Sequence, residues 1–548
     1  MRSLGSVFLA FALSPVLSAD ALTDKVNELF SAWDTRESPG CVLGVIRDGK
    51  LIHQRGYGMA NLEHNIPLSS QTVFDVGSMS KQFTAMSVLL LASQGRLSLE
   101  DGIRKYVPEI PEYGSPIRIR HLLHHTSGIR DYLALAFLAG VGRDDYYRDE
   151  DVLRMLGRQK ELNFTPGDEH LYSNSGYFLL SQVVRRASGE SLRAFAQANI
   201  FKPLGMNHTH FHDDHTMIVK DRATGYMRNF IGGFQIAMSN LDMVGDGGVH
   251  TSVEDLLLWD QNFYHARVGG EELIRQMTTP GVLNSGETLD YACGLVVGRY
   301  RGLRAVSHGG SWTGYRADMI RFPDQKFSVI CLCNLVSASP SRLVRQVADL
   351  YLAGQFPVEA GNTPQKPALV ELPIEQLRET TGTYWNAASG AALQLLVEGG
   401  KLMMTDSGQR SQLEPLSQTQ FRLAGSPRTT DVIFEKTDGG LRLRMTAEGG
   451  RPEVFERVHL VSPRPEEMEE YAGEYSSEEL EATYRVTLEG GKLYFRHKNA
   501  PTVALQPTVR DHFRVRALSV AFARDREGKV AGMSLNAGPV KNIRFVRK

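Results

Sequence analysis

The stretch Phe74-Asp75-Val76-Gly77-Ser78-Met79-Ser80-Lys81 decides how this chain is read. The residues from Met79 to Gln94 carry a strongly apolar face and predict a helix. Ser78 and Lys81 stand at i and i+3, so both side chains fall on one face where that helix opens. A helix N-terminus adds positive potential, which favours a developing alkoxide. A lysine beside a serine lowers the cost of deprotonating it, or shuttles its proton. Alone, Ser-x-x-Lys also reads as an N-cap serine followed by a surface lysine. Its weight depends on what lies downstream.

Two further motifs follow. Tyr172-Ser173-Asn174 comes after Pro166-Gly167. A tyrosine and an amide two apart in an extended turn point the same way. Tyr172 is a candidate general base or acid, and Asn174 a candidate donor to a substrate carbonyl. His308-Gly309-Gly310-Ser311 closes an apolar strand. Glycines there let a substrate backbone approach closely. His308 is a candidate to orient or protonate a substrate group. The Ser311 amide is a candidate to pair with the Ser78 amide as an oxyanion hole.

The order Ser-x-x-Lys, Tyr-x-Asn, His-Gly-Gly resembles the serine β-lactamase and penicillin-binding superfamily. The nearest branch holds class C β-lactamases, D-stereospecific aminopeptidases, D-Ala-D-Ala carboxypeptidases and family VIII esterases. Supporting segments are His121-Leu122-Leu123-His124-His125-Thr126-Ser127-Gly128, Phe164-Thr165-Pro166-Gly167 and Gly247-Gly248-Val249. The resemblance covers roughly residues 25 to 355. It implies that Ser78 is acylated, that Lys81 and Tyr172 activate it and relay its proton, and that Asn174 holds the substrate amide. It implies two-step acyl transfer on a small-molecule or peptide substrate, with no metal and no organic cofactor. The implied fold is an α+β catalytic domain, an antiparallel sheet flanked by helices with a helical subdomain.

One position departs from the β-lactamase pattern. Class C enzymes carry lysine where this chain has His308. Lysine is a permanent point charge suited to a substrate carboxylate, whereas histidine is largely neutral at pH 7. This weakens the penicillinase and carboxypeptidase readings. The build looks most like the D-aminopeptidases, in which a loop from the last barrel reaches the active site. Which loop does so here is not readable from sequence. Esterase and β-lactamase activities are variants of the same reading. A different class of reading is a non-catalytic ligand or peptidoglycan binder. Such a relic would be expected to lose Ser78, Lys81 or Tyr172, and all three are present.

Outward from the motifs, the chain of 548 residues suggests three or four domains at roughly 150 residues each. Pro39 to Gly58 reads as a hairpin turning at Asp48-Gly49. Asn174 to Ser188 and Ser252 to Phe263 read as helices, the latter with Ser252 as N-cap. Tyr291 to Arg299, Ala305 to His308, Asp318 to Phe322 and Phe327 to Leu335 read as strands. The catalytic domain is therefore set at 22–355, followed by a linker at 356–370 that carries Pro357, Pro364 and Pro367. Beyond it helical patterns nearly vanish and an internal repeat appears. Gly382-Thr383-Tyr384 recurs as Gly473-Glu474-Tyr475, and Gly399-Gly400-Lys401-Leu402 as Gly490-Gly491-Lys492-Leu493. Phe455-Glu456-Arg457 matches Phe545-Val546-Arg547. These imply two small all-β barrel-like domains, at 371–460 and 461–548.

At the front, Arg2 and the apolar run Leu4 to Leu17 read as a signal peptide over residues 1–21, cleaved after Ala19 or Ala21. The run is too short to span a bilayer, which takes about 20 residues. The expectation is an exported protein, periplasmic or extracellular, with no stable membrane insertion after cleavage. Lysine plus arginine total 61 and aspartate plus glutamate 62. That balance gives no electrostatic argument for a nucleic-acid partner. Cys41, Cys293, Cys331 and Cys333 are too few for a disulfide scaffold and read as small buried thiols in apolar strands.

Four further signals remain. His210-Phe211-His212-Asp213-Asp214-His215 fits His-x-His-x-Asp-His, a zinc motif of metallo-β-lactamase-fold hydrolases. It follows a helix-ending turn at Pro203-Leu204-Gly205-Met206 rather than a buried strand, so it reads as a polar loop and no metal ligand is assigned. His121, His124 and His125 read as structural, two of them facing inward. Asn163-Phe164-Thr165 and Asn207-His208-Thr209 are glycosylation sequons. Asp246, beside Gly247, is a candidate cleft residue.

Overall fold

The computed structural model describes residues 19–142, 145–357, 369–387, 389–406, 409–424, 430–447, 452–459, 461, 463–498, 502–515 and 518–548. Most of the signal-peptide reading, all but residues 19–21, and most of the linker reading lie outside them.

The catalytic unit is built on six antiparallel strands. They are β1 (Cys41–Arg47), β2 (Lys50–Tyr57), β3 (Val296–Tyr300), β4 (Leu303–Trp312), β5 (Tyr315–Phe322) and β6 (Phe327–Cys333). Their order is β3-β4-β5-β6-β1-β2, so the N-terminal hairpin closes against the last strand of the domain. Asp48 and Gly49 both take positive φ in its turn, as an Asp-Gly hairpin requires. Side chains alternate across β1. Cys41, Leu43 and Val45 bury on one face, with Phe30 of α1 (Ala19–Phe30). Val42 and Ile46 bury on the other. That second face carries α2 (Lys81–Ser93), α3 (Asn174–Ser188) and α4 (Val253–His265), while α5 (Pro340–Tyr351) packs beside α1. Ser252 caps α4, its hydroxyl accepting from the Asp255 amide.

Three expectations need correction. The α-helix of the nucleophile motif begins at Lys81, because Gly77–Ser80 form a 3-10 turn. In such a turn residues i and i+3 eclipse, which stacks Ser78 directly over Lys81. The strand that ends on the His-Gly-Gly-Ser motif does not stop at His308 but runs on through it to Trp312. Finally, Cys41 and Cys333 are not free thiols. They are joined by a disulfide. The two are direct partners in the antiparallel register of β1 and β6, a proximity that their separation of 292 residues conceals. Cys331 and Cys293 are the buried free thiols.

The tail forms two all-β units. Strands from Gly382–Asn386 to Glu453–Val458 close into an eight-stranded barrel. Strands from Gly473–Ser477 to Val540–Arg547 form a nine-stranded sheet of the same winding. The repeat is physical. Tyr384 donates to the Thr380 carbonyl at 2.8 Å, and its counterpart Tyr475 to the Tyr471 carbonyl at 2.7 Å. Gly382 packs against Arg457 as Gly473 does against Arg547.

The last unit docks on the helical subdomain. Arg130 is fully buried and donates to Glu479 at 2.5 Å, to Gln159 at 2.9 Å and to the Asn542 carbonyl at 3.1 Å. The turn at Gly538-Pro539 reaches the same place, the Pro539 carbonyl accepting from Asn163 Nδ2 and the Asp131 amide. Asn163, the first residue of one sequon, is thus tied into this interface.

Candidate active site

Ser78 is presented by a turn locked from both sides. The Gly77 amide donates to Asp75, the Ser80 hydroxyl donates to the Gly77 carbonyl, and the Val249 amide donates to Ser80. The turn also packs backbone to backbone on β4. Gly77 has φ +50°, and a Cβ there would lie 2.8 Å from the Ser311 nitrogen. A Cβ on Gly310 would lie 1.8 Å from the Val76 carbonyl oxygen. Only glycine permits this approach, which brings the Ser78 and Ser311 amides to one pocket. Gly310→Ala is therefore expected to push β4 away from the nucleophile. A displacement of about 1 Å costs around 10²-fold in kcat/KM, to be read in steady-state assays with the melting temperature as control.

Lys81 is buried and uses all three of its donors. Nζ lies 3.1 Å from Ser78 Oγ, 2.9 Å from Asn174 Oδ1 and 2.6 Å from the Asp246 carbonyl oxygen. It also stands 4.8 Å from the centre of the Tyr172 ring. The Asn174 amide oxygen is thus turned to lysine, which leaves its NH2 group for another partner. Tyr172 is held by His125, whose ring centre is 4.1 Å away and whose Nδ1 pairs with the Ser173 amide. The Tyr172 hydroxyl is buried with no hydrogen-bond partner.

His308 is buried and wedged. Its Nε2 pairs with the Tyr291 hydroxyl at 3.1 Å and its Nδ1 with the Gly309 carbonyl at 2.6 Å. Burial, reinforced by the Lys81 charge, holds its pKa down to about 4. At neutral pH it is uncharged, with both nitrogens engaged. The residues singled out in the sequence converge. Ser78, Tyr172, Asn174 and Ser311 line one cavity, and Ser78, Tyr172, His308, Gly309, Gly310 and Ser311 line an adjoining one. Asp246 borders the first cavity, as expected. A third, largely apolar cavity of about 610 Å³ runs on from its Leu133, Leu241 and Trp312 walls to Tyr484 and Phe495 of the last unit.

Sequence reading missed Asp131 and Arg130. Asp131 caps the Tyr132–Ala139 helix and accepts from the Asn174 amide at 2.6 Å. The Arg130 carbonyl accepts from Ser175. Locally Asp131 is an ordinary N-cap, and nothing nearby in sequence marks the contacts with Gln159, Asn174 or Glu479, which lie 29 to 349 positions away. Two of the three clustered histidines, His121 and His125, are buried as expected.

Asp246 is fully buried, its carboxylate touching the Tyr132 hydroxyl at 3.1 Å. Desolvation outweighs the nearby Lys81 charge and lifts its pKa from 3.8 to about 6. Below about pH 4 both folded and unfolded forms are protonated and there is no cost. As pH rises from about 4 to about 6 the unfolded chain ionises first, so stability is lost over that window. Asp246→Asn lacks the effect. Its melting temperature is expected to rise relative to wild type between pH 4 and 6 and then to run parallel, as checked by thermal melts across pH.

The chain is similar to known proteins. The Beta-lactamase family profile matches residues 26–353, and a domain of unknown function (DUF3471) matches residues 459–547. A D-aminopeptidase of Gluconobacter oxydans (strain 621H) is 29% identical over 479 residues, 87% of each chain. A penicillin-binding protein of Bacillus subtilis (strain 168) is 30% identical over 408 residues, 71% of this chain and 88% of that one. The octameric penicillin-binding protein homologue from Pyrococcus abyssi superposes with a TM-score of 0.56 at 26% identity, covering 80% of this chain and all of that one. The chain belongs to the β-lactamase family. It is a serine hydrolase of that family, similar to D-aminopeptidases.

Proposed function

We propose that this protein is an exported amidohydrolase that forms an acyl-enzyme on Ser78 and acts on small amides or peptides, foremost those of D-amino acids. The observation that carries the reading is the contact of Lys81 Nζ with Ser78 Oγ at 3.1 Å, under the Tyr172 ring and at the edge of a cavity. As Oγ attacks the scissile carbonyl its proton passes into the Lys81–Tyr172 pair, which must hold one basic member, a neutral amine or a phenolate, to accept it. The Ser78 and Ser311 amides hold the oxyanion. Asn174 donates its free NH2 to the substrate amide. The leaving amine receives the proton, and water then releases the acyl group. His308, Gly309 and Gly310 shape the strand along which the substrate lies. No step needs a metal or cofactor.

Three observations support the finer points. The D-aminopeptidase relatives span most of this chain, tail included. The uncharged His308 offers no fixed cation for a carboxylate, which disfavours penicillins as substrates. The apolar cavity behind Trp312 fits a substrate with a bulky apolar group. Export is supported by the apolar N-terminal run and by the Cys41–Cys333 disulfide, a bond that persists in oxidising compartments. Among the described residues no helix is long and apolar enough to cross a membrane.

The test is kcat/KM for D-alanine para-nitroanilide against the L-isomer, with Ser78→Ala as control. A D-over-L ratio above about 10², near 2.7 kcal/mol of discrimination, is expected. Absence of turnover for both isomers would overturn the aminopeptidase reading and leave the family assignment standing.

A further inference from the structure

The histidine-rich loop is divided by the fold, and one part of it gains a partner that the sequence does not show. Three short strands, Phe74–Asp75, Val249–Thr251 and His210–Phe211, lie side by side in that order. Their register sets Asp75 opposite His250 and His250 opposite His210. Directly opposed residues share a face, so these three side chains form a row. His212 stands two residues beyond His210, and its amide extends the ladder to the Gly248 carbonyl at 2.7 Å. It therefore returns to the same face. The remaining residues of the loop turn elsewhere. Asp213 pairs with Arg193 at 2.7 Å, Asp214 caps Thr216, and His215 pairs with Asp242 at 3.0 Å.

The result is a compact set of three imidazoles. His210 Nε2 and His212 Nδ1 are 3.4 Å apart, and the His212 and His250 ring centres 4.3 Å. One nitrogen from each ring lies within 4.8 Å of the other two. Two nitrogens bound to one tetrahedral zinc at about 2.0–2.1 Å stand roughly 3.3 Å apart, close to the first of these distances. Packing alone does not account for the cluster. His250 is almost fully buried and its Nδ1 has no hydrogen-bond partner, a costly arrangement unless something binds there. Of the two nearby guanidiniums, that of Arg193 is already compensated by Asp213. The Arg222 charge acts on the buried Asp75 carboxylate, next in the row, as well as on the histidines.

We infer that His210, His212 and His250 bind one divalent transition-metal ion, with zinc the best match to three imidazole nitrogens and no sulfur. His212 and His250 also line the cavity that holds Ser78, so the ion forms part of its wall. A coordination place that the protein does not fill is available to water. The inference is independent of the substrate proposed above.

The test uses tag-free full-length protein stripped with EDTA and titrated with zinc by calorimetry and with cobalt by visible absorption. One site per chain is expected, with cobalt d–d bands of a nitrogen-ligated low-coordinate ion. His250→Ala and His210→Ala are each expected to weaken binding at least about 100-fold. His215→Ala and Ser78→Ala bind as wild type, the latter because the site does not depend on the nucleophile. Circular dichroism confirms that the variants fold, and the wild-type cobalt spectrum stands without them. Absence of a saturable site in wild type, or an equal loss in His215→Ala, would overturn the inference.

Discussion

Replacing Lys81 with methionine lowers kcat at least about 10³-fold, near 4 kcal/mol, with little loss of thermal stability. The activity loss has two sources. The Lys81–Tyr172 pair that relays the Ser78 proton loses a member, and a polar group 3.1 Å from the developing alkoxide is gone. The stability outcome follows from burial. Lys81 is a fully buried cation, and methionine of similar length restores apolar packing while removing the desolvation cost. Against this, the Asn174 side-chain oxygen and the Asp246 carbonyl lose a donor. Lys81→Arg keeps the charge but not the shape, and is also expected to be inactive, because the planar guanidinium cannot reproduce three converging contacts from one nitrogen. Steady-state rates on an activated ester or anilide, paired with thermal melts, separate the two effects. Retention of more than a tenth of wild-type kcat in Lys81→Met would remove Lys81 from the mechanism.

Arg130→Met carries the largest expected loss of stability, about 3–5 kcal/mol, read as a lower urea midpoint. It leaves the Glu479 carboxylate buried without its counter-ion, with the Lys160 and Arg544 amides as remaining donors. The pair joins the last barrel-like unit to the catalytic unit, so the first event on unfolding is expected to be loss of that contact. The same substitution is expected to lower kcat/KM. The Arg130 carbonyl holds Ser175, and the neighbouring Asp131 carboxylate holds the Asn174 amide, so movement of Arg130 reaches the residue that contacts Lys81. Combining Arg130→Met with Glu479→Leu removes both charges and is expected to restore much of the stability. If the double variant is no more stable than the single one, the ion pair is not what holds the interface.

The parts of the molecule that were legible in sequence are those with a local signature. The Ser78 turn, the Tyr172 turn and the His308 strand announce themselves by residue types at fixed short spacings, and the fold brings all three to one place. The hairpin at Asp48-Gly49 and the cap at Ser252 were readable for the same reason. The tail repeat was readable because two copies of one unit keep their glycines, tyrosines and arginines in step. What escaped depends on register between distant strands. Cys41 meets Cys333 only because β1 pairs with β6. His250 meets His210 only because two short strands lie side by side. Arg130 meets Glu479 only after whole units dock. Short-range patterns cannot specify such contacts. They also misplaced the start of α2 by two residues, since a 3-10 turn and an α-helix share the same apolar spacing over one turn.

The central claim is that Ser78 is acylated. Intact-protein mass spectrometry after incubation with a fluorophosphonate serine probe tests it most directly. Wild type is expected to gain one adduct per chain, located by peptide mapping to the segment that contains Ser78, and Ser78→Ala to gain none. An unlabelled wild type, or equal labelling of Ser78→Ala, would contradict the account.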